Sequence, residues 1–392
     1  MSTPAKIYLK SRHCGPALGR HPWVFSDVIE KIDGEPKDGD EVKVFGEGKF
    51  IATGFFNSKS QIRIRLLAWE DRSLDESFFA EKIKAAYELR KQIGLVKADA
   101  AYRFIYSEGD GLSGLVADRF GDYLVLQITS LALYERRHMI AKILEKIAEP
   151  KGIFLKAEKN ISTAEGLSSE DEILFGKVPE AAVEVAENDI RFEVNFLHGQ
   201  KTGFYCDQRD NRKAAAALVK GKKVLDLYSY TGAFAMNFAK AGAKEIIAVD
   251  SSKGAIEQAQ KNAKLNGISN IDFQVNDAFD WLKENADKKF DLIVLDPPRF
   301  APSRGAKEKA LRTYFKINEE ALKAISPGGY LVTCSCSGQI SREDFAFMLA
   351  GVARRSKRFV QVLEQRGQAA DHPVLTACPE TDYLKTFICR VL

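Results

Sequence analysis

No stretch of this 392-residue sequence approaches the roughly 20 apolar residues of a transmembrane helix, and the opening MSTPAKIYLKSR lacks the apolar core of a secretion signal. No membrane partner is expected, and a cytoplasmic location is the default. Cysteine is sparse: six residues, at positions 14, 206, 334, 336, 378 and 389, with neither a CxxC pair nor a framework spacing. Disulfides and a zinc site are therefore not expected, no metal ligands are assigned, and the thiols should be free. Also missing are an internal repeat, a low-complexity linker and the G-x-G-x-x-G fingerprint of dinucleotide folds. Neither sign of charge dominates: 58 basic against 54 acidic residues give a net +4. With 45% hydrophobic and 29% charged residues, disorder, collagen and coiled coil are excluded. The balance permits a polyanionic partner without demanding one, so the distribution of charge has to decide.

Three patterns follow one another along the chain. Residues 1–70 hold short β-branched or alternating runs (Ile7 to Lys10, Trp23 to Ile32, Glu41 to Phe45, Phe50 to Asn57, Ile62 to Trp69) broken by Gly, Asp, Asn and Pro, the pattern of a small β-barrel. In Ile62-Arg63-Ile64-Arg65 the period of two puts the isoleucines on one face and Arg63 and Arg65 on the other, where they can meet phosphate or merely solvent. Residues 71–189 read as an α+β module: a helix from Phe78 to Ile93, a strand from Tyr102 to Tyr106, a hairpin turning at Phe120-Gly121-Asp122, a helix from Ala132 to Ala148 and a strand from Ile153. Its Gly-rich segment from Ser107 to Gly114 reads as a turn, since nothing shows it opening a helix as a phosphate loop would. After a hairpin signal at Asn188-Asp189, residues 190–392 alternate apolar strands with helices of mostly ten or more residues, which predicts an α/β, doubly wound, mostly parallel sheet. Two closing strands, Phe359 to Glu364 and Tyr383 to Val391, should add an antiparallel edge pair.

Such sheets bind ligands at the carboxyl ends of their strands. The first strand ends in Leu225-Asp226-Leu227-Tyr228-Ser229-Tyr230-Thr231-Gly232-Ala233-Phe234, with one glycine and an acid where a pyrophosphate would need bare backbone. Asp226 would repel a diphosphate but accept a hydrogen bond from the ammonium of an amino-acid moiety, which points to S-adenosylmethionine rather than a nicotinamide dinucleotide. Tyr228, Thr231, Gly232 and Phe234 are the expected walls of that turn. The second strand ends in Asp250-Ser251, spaced for ribose hydroxyls, and the third in Asn276-Asp277-Ala278, placed to read an adenine edge, with Phe279 as a ring neighbour. Taken singly, each acid is equally a helix cap; the three in register favour a cofactor.

On these motifs the last two hundred residues resemble class I S-adenosylmethionine-dependent methyltransferases. The run Gly199 to Arg212 (GQKTGFYCDQRDNR), with LDLYSYTGAF, LDPPRF and TCSCSG in that order, resembles more narrowly the RlmI-type 23S ribosomal RNA cytosine-5 methyltransferases. That resemblance covers essentially the whole chain. It implies an N-terminal PUA RNA-binding domain, a central α+β domain and a Rossmann-like methyltransferase domain, with large-subunit ribosomal RNA as substrate and the oligomeric state, a homodimer included, left open. Gln208, Arg209, Asp296 and Pro297 join the expected cofactor site.

Carbon-5 of a pyrimidine is too weak a nucleophile to take a methyl group unaided, and a thiolate is the suitable activating group. The resemblance implies Cys336 as that nucleophile, attacking carbon-6, and Asp296 as the residue that binds or protonates ring nitrogen N3. Cys334 and Cys336 face one side of a regular strand, so geometry does not separate them, and both can equally be small buried hydrophobes. The sequence departs from many relatives in having Pro298 and Arg299, and no second cysteine, directly after the motif proline. The group that removes the carbon-5 proton is therefore open among Cys206, Cys334 and water. From Arg299 to Lys316 the chain carries Arg299, Arg304, Lys307, Lys309, Arg312 and Lys316 against the single acid Glu308, a local excess suited to an RNA backbone or to a solvated helix face. Two other readings compete: a base N-methyltransferase that uses the Asp-Pro-Pro turn without an adduct, and a non-catalytic RNA-binding assembly factor.

Overall fold

A computed structural model describes residues 4–158, 163–197, 199, 202–301 and 304–392, with only the backbone of residue 304. The chain forms two compact units, one of residues 1–185, 194–206 and 370–381, the other of 186–193, 207–369 and 382–392. No described helix is long and apolar enough to cross a membrane.

The first unit carries two sheets. β1 (Ala5–Leu9), β2 (Trp23–Phe25), β3 (Ile29–Asp33), β4 (Glu41–Gly46), β5 (Lys49–Phe56) and β6 (Ile62–Ala68) form a six-stranded sheet in the order β2-β6-β5-β4-β1-β3. Alternation drives it: Ile7, Leu9, Val42, Val44, Ile64 and Leu66 are buried on one core. The run from Trp23 to Ile32, expected as one strand, is split by a 3-10 turn at Ser26–Val28. The second sheet holds β7 (Ala101–Tyr106), β8 (Leu115–Phe120), β9 (Tyr123–Ile128), β10 (Gly152–Leu155) and β11 (Glu172–Gly176), packed with α1 (Glu76–Gln92), α2 (Leu131–Glu135) and α3 (Arg137–Ala148). Asp75 caps α1 by accepting the Phe78 N–H at 3.0 Å. The expected helix from Ala132 to Ala148 is interrupted at Arg136, whose guanidinium bonds the Ala132 carbonyl. In the Ser107 to Gly114 segment, Asp110 takes both terminal nitrogens of buried Arg90 at 2.6 and 2.8 Å, so the turn is pinned by an ion pair.

One expectation for this unit is overturned. Arg65 is not on a free face of the β-sheet: it is 7% exposed and bonds Glu165 at 3.2 Å, Ser113 at 3.2 Å and the Thr129 carbonyl at 3.1 Å, with Glu108 at 3.6 Å. The α+β module covers the side that the alternation assigned to solvent or RNA. Arg63 is half-buried and donates to the carbonyls of Asn57 and Ser58.

Next in sequence comes a hairpin of β12 (Val183–Glu187) and β13 (Ile190–Val194). Its turn residues Asn188 and Asp189 have φ of 52° and 57°, the paired left-handed conformation of a two-residue hairpin turn.

The second unit is built on β14 (Lys223–Leu227), β15 (Glu245–Asp250), β16 (Ile271–Val275), β17 (Phe290–Leu295), β18 (Ile325–Ser335), β19 (Val360–Arg366) and β20 (Lys385–Val391), in the order β16-β15-β14-β17-β18-β20-β19. The first five strands are parallel, and β20 runs antiparallel between β18 and β19. Six helices connect and flank them: α4 (Arg209–Ala216), α5 (Ala233–Lys240), α6 (Lys253–Leu265), α7 (Ala278–Glu284), α8 (Lys307–Ala324) and α9 (Arg342–Arg355). Both faces are covered, so the central strands carry continuous apolar stretches: Leu292, Ile293, Val294 and Leu295 have no exposed surface.

Candidate active site

Register assembles the site. Leu227 pairs with Val249 and Leu295, and Leu295 pairs with Thr333, so four neighbouring strands end level. The residues just beyond them, Tyr228, Asp250, Asp296 and Cys334, therefore occupy one edge of the sheet.

Asp226, one position inside that edge, is fully buried. Its Oδ2 accepts the Ala235 N–H at 3.0 Å, while Oδ1 has no partner among the described residues. Burial pushes its carboxyl well above the usual range, and the charges of Asp296 and Asp250 push the same way. The neighbouring Ser229 hydroxyl is likewise buried, with no partner among the described residues. An acceptor left open at this depth is costly without a ligand, and it fits a cationic, hydrogen-bonding group such as the amino-acid end of S-adenosylmethionine.

The turn that follows is tightly wound: Tyr228, Tyr230 and Gly232 have φ of 63°, 48° and 81°. A Cβ at Gly232 would stand 3.1 Å from Ala259 Cβ and 3.2 Å from Met236, which explains the single glycine of this loop. Thr231 is buried, with its carbonyl held by Asn262 at 3.1 Å. Phe234 departs from expectation: it is 5% exposed and packed in the apolar core with Phe238, so it supports the turn from behind.

Asp250 fixes the next loop by accepting N–H groups from Tyr230 at 2.9 Å and Ser252 at 2.8 Å, one on each carboxylate oxygen. Each oxygen keeps lone-pair capacity for a diol. Ser251 is exposed, and Ser252 caps α6. Asp277 caps α7 through Phe279 and Asp280, Asn276 bonds Glu284 at 2.9 Å, and Ala278 is buried in the core. The third strand end thus presents an ordered turn, although its side chains are partly engaged internally.

Asp296 is half-buried, and Gln208 donates to its Oδ1 at 2.9 Å. Gln208 is in turn held by Asn211 at 2.6 Å, and Asn211 by Thr386 at 3.1 Å. Arg209 is 8% exposed and its nitrogen lies 3.5 Å from Asp210. Pro297 is buried, and its carbonyl oxygen lies 4.0 Å from Cys336 Sγ.

The two cysteines that the sequence could not separate differ in environment. Cys334 is fully buried, bonds Thr386 at 3.3 Å and has its thiol pushed well up by burial, with the Asp296 charge adding to it. Cys336 alone among the six cysteines is not buried. All six are free thiols. Ser337 ties its loop to the segment after the proline pair and to α8, accepting the Ala301 N–H and meeting the Tyr314 hydroxyl, each at 3.2 Å. Burial raises the Tyr314 phenol to about 12.

Of the cations after the proline pair, Arg299, Lys309, Arg312 and Lys316 are exposed. Lys307 is tied to Asp344 at 2.7 Å, and the Arg304 side chain lies outside the described residues. Two features at this end of the fold went unread in the sequence. Arg212 makes a buried two-point ion pair with Glu187, both bonds 2.7 Å. Lys385, 2% exposed, donates to the carbonyls of Ser337 at 2.7 Å and Tyr383 at 2.8 Å. The only signal for Lys385 is its position as the one charged residue at the head of an apolar strand.

Residues 162–378 match the S-adenosylmethionine-dependent methyltransferase family, and residues 7–69 match the PUA-like domain. A protein of Aeromonas hydrophila subsp. hydrophila named ribosomal RNA large subunit methyltransferase I is 40% identical over 395 residues, covering 98% of this chain and 99% of its own. One of the same name from Vibrio cholerae is 39% identical over 398 residues and covers both chains fully. Among solved structures, SMU.776, provisionally assigned as a methyltransferase and complexed with SAH, superposes with a TM-score of 0.85 at 22% identity, over 98% of this chain and 99% of that one.

Proposed function

The chain belongs to the S-adenosylmethionine-dependent methyltransferases and, among them, to the ribosomal RNA large subunit methyltransferase I family, and from that premise we propose that it methylates carbon-5 of a cytosine in large-subunit ribosomal RNA through a covalent adduct on Cys336. The observation that carries the reading is a half-exposed thiol set beside the Asp296-Pro297 turn, at the edge where Asp226 leaves a buried acceptor open. S-adenosylmethionine supplies the electrophilic methyl group. Asp226 would hold its ammonium, Asp250 its ribose hydroxyls, and the Asn276 to Ala278 turn its adenine.

Each chain residue then has a defined task. Cys336 Sγ bonds to carbon-6 and makes carbon-5 nucleophilic. Asp296, oriented by the Gln208 amide, binds or protonates N3 and stabilises the adduct. Once carbon-5 carries the methyl group, loss of its proton and cleavage of the carbon–sulfur bond return the thiol. The deep burial of Cys334 and its raised thiol disfavour it as the base, which leaves Cys206 and water. We read the chain as three domains, 1–70, 71–189 and 190–392, with the PUA-like match supporting an RNA-binding role for the first. A homodimer is a further expectation that sedimentation would decide.

Methyl-labelled cofactor incubated with unmodified ribosomal RNA should place label in 5-methylcytidine on nucleoside mass spectrometry. Cys336→Ala should lose roughly three or more orders of magnitude in rate and form no denaturant-resistant adduct with RNA bearing 5-fluorocytidine. Label in another nucleoside, with Cys336→Ala still active, would replace this reading by N-methylation.

A further inference from the structure

β20 pairs antiparallel with β18 so that Lys385 stands opposite Ser335, the residue before Cys336. A lysine at 2% exposure is expensive to keep charged unless an anion answers it. Among the described residues no carboxylate reaches ion-pairing distance: Asp382, the nearest acid in sequence, faces Arg342 at 3.4 Å, and the Lys385 ammonium bonds only two backbone carbonyls. One of those belongs to Ser337, next to the thiol-bearing residue. The buried positive charge is thus built into the Cys336 to Gly338 loop without a permanent counter-ion.

We propose that Lys385 is a positioning residue whose ammonium supplies the counter-charge for the Cys336 thiolate while its two carbonyl bonds fix the loop that carries the nucleophile. The inference rests on the adduct mechanism above and assigns that mechanism its source of thiolate. Burial lowers Lys385 to about 8, and Cys336 is foremost among the charges drawing it back up, ahead of Asp382, with Arg342 and Arg299 opposing. Groups that share the field of the thiol include Tyr314 from α8 and Cys334 from β18, and the charge of Asp296, at the end of β17, acts on both of them. Asp296 disfavours a second negative charge here, which makes a cation on the opposite side the more necessary. The proton balance is simple: Cys336 Sγ–H gives its proton to solvent when the amine is already ammonium, or to the amine when it is not. The thiol and the amine therefore titrate as a pair.

The test is the pH dependence of Cys336 alkylation by iodoacetamide in the full chain without RNA, with the modified peptide identified by mass spectrometry. Wild type should show a midpoint below the roughly 8.5 of an ordinary cysteine. Lys385→Gln keeps hydrogen-bond donors but no charge and should raise the midpoint by one unit or more, as should Lys385→Met, while Lys385→Arg should stay close to wild type. A role confined to holding the two carbonyls would leave the Lys385→Gln profile unmoved, and that result overturns the proposal. A wild-type midpoint at or above 8.5 overturns it without any variant, so poor folding of the variants does not shield it. Failure of the adduct reading is distinguishable: it appears as methylation by Cys336→Ala, whatever the thiol titration shows.

Discussion

At the residue scale, the role proposed for Asp226 would link cofactor binding to pH. Its carboxyl is raised by burial, so in the free protein it takes up a proton at a pH where ordinary aspartates have lost theirs. A cationic ligand binds the ionised form. Affinity for S-adenosylmethionine should therefore fall as pH drops through the raised value, and binding below it should release a proton. Calorimetry in buffers of different ionisation enthalpy reads that proton directly. Asp226→Asn should weaken binding and flatten the pH dependence, and an unchanged slope would remove Asp226 from the cofactor site. Stability of the free protein runs the opposite way: a raised folded value stabilises at low pH and the contribution is lost as pH rises through it, so the free protein should gain most from ligand above that point.

At the scale of elements, the parallel strands were legible because strands buried on both faces carry continuous apolar runs, as in Leu292 to Leu295. Cap residues mark four helix starts: Asp75, Ser252, Asp277 and Ser341 each accept an N–H of the following turn. What stayed hidden depends on partners distant in sequence. β18 begins at Ile325, ahead of Pro327 and Gly328, where the sequence reads as a turn; Ile325 is held to Phe290 of β17. The motif around Gln208 is visible in the sequence, but its bond to Asp296, 88 positions away, is not. Arg65 shows the limit most plainly, because a period of two looks the same whether the second face meets water, RNA or Glu165 from a hundred positions away. Removing one partner of such a buried pair strands the other charge. Arg65→Ala should cost about 3–5 kcal/mol in denaturant unfolding, with the salt slope of RNA binding unchanged in the protein that remains folded. A variant as stable as wild type, with a reduced salt slope, would put Arg65 back at the RNA backbone.

At the scale of the whole molecule, charge is nearly balanced overall and unbalanced locally. Arg299, Lys309, Arg312 and Lys316 are exposed on and before α8, whereas Lys307 already has Asp344. If the four cations meet the RNA backbone, replacing them with alanine should lower the slope of log affinity against log salt by about 0.7 for each phosphate no longer neutralised. The melting temperature should barely move. An unchanged slope would assign them to a solvated helix face.

The place of β20 between β18 and β19 has a consequence for synthesis. Ile325–Ser335 is an apolar strand whose outer edge has no partner until residues 385–391 have been made. At roughly 5–20 residues per second on the ribosome, that edge waits on the order of 3–10 seconds. During that interval it is an open template for another chain. The thiol loop at its end is also still without Lys385, so Cys336 and Lys385 come together only after the hazard has passed.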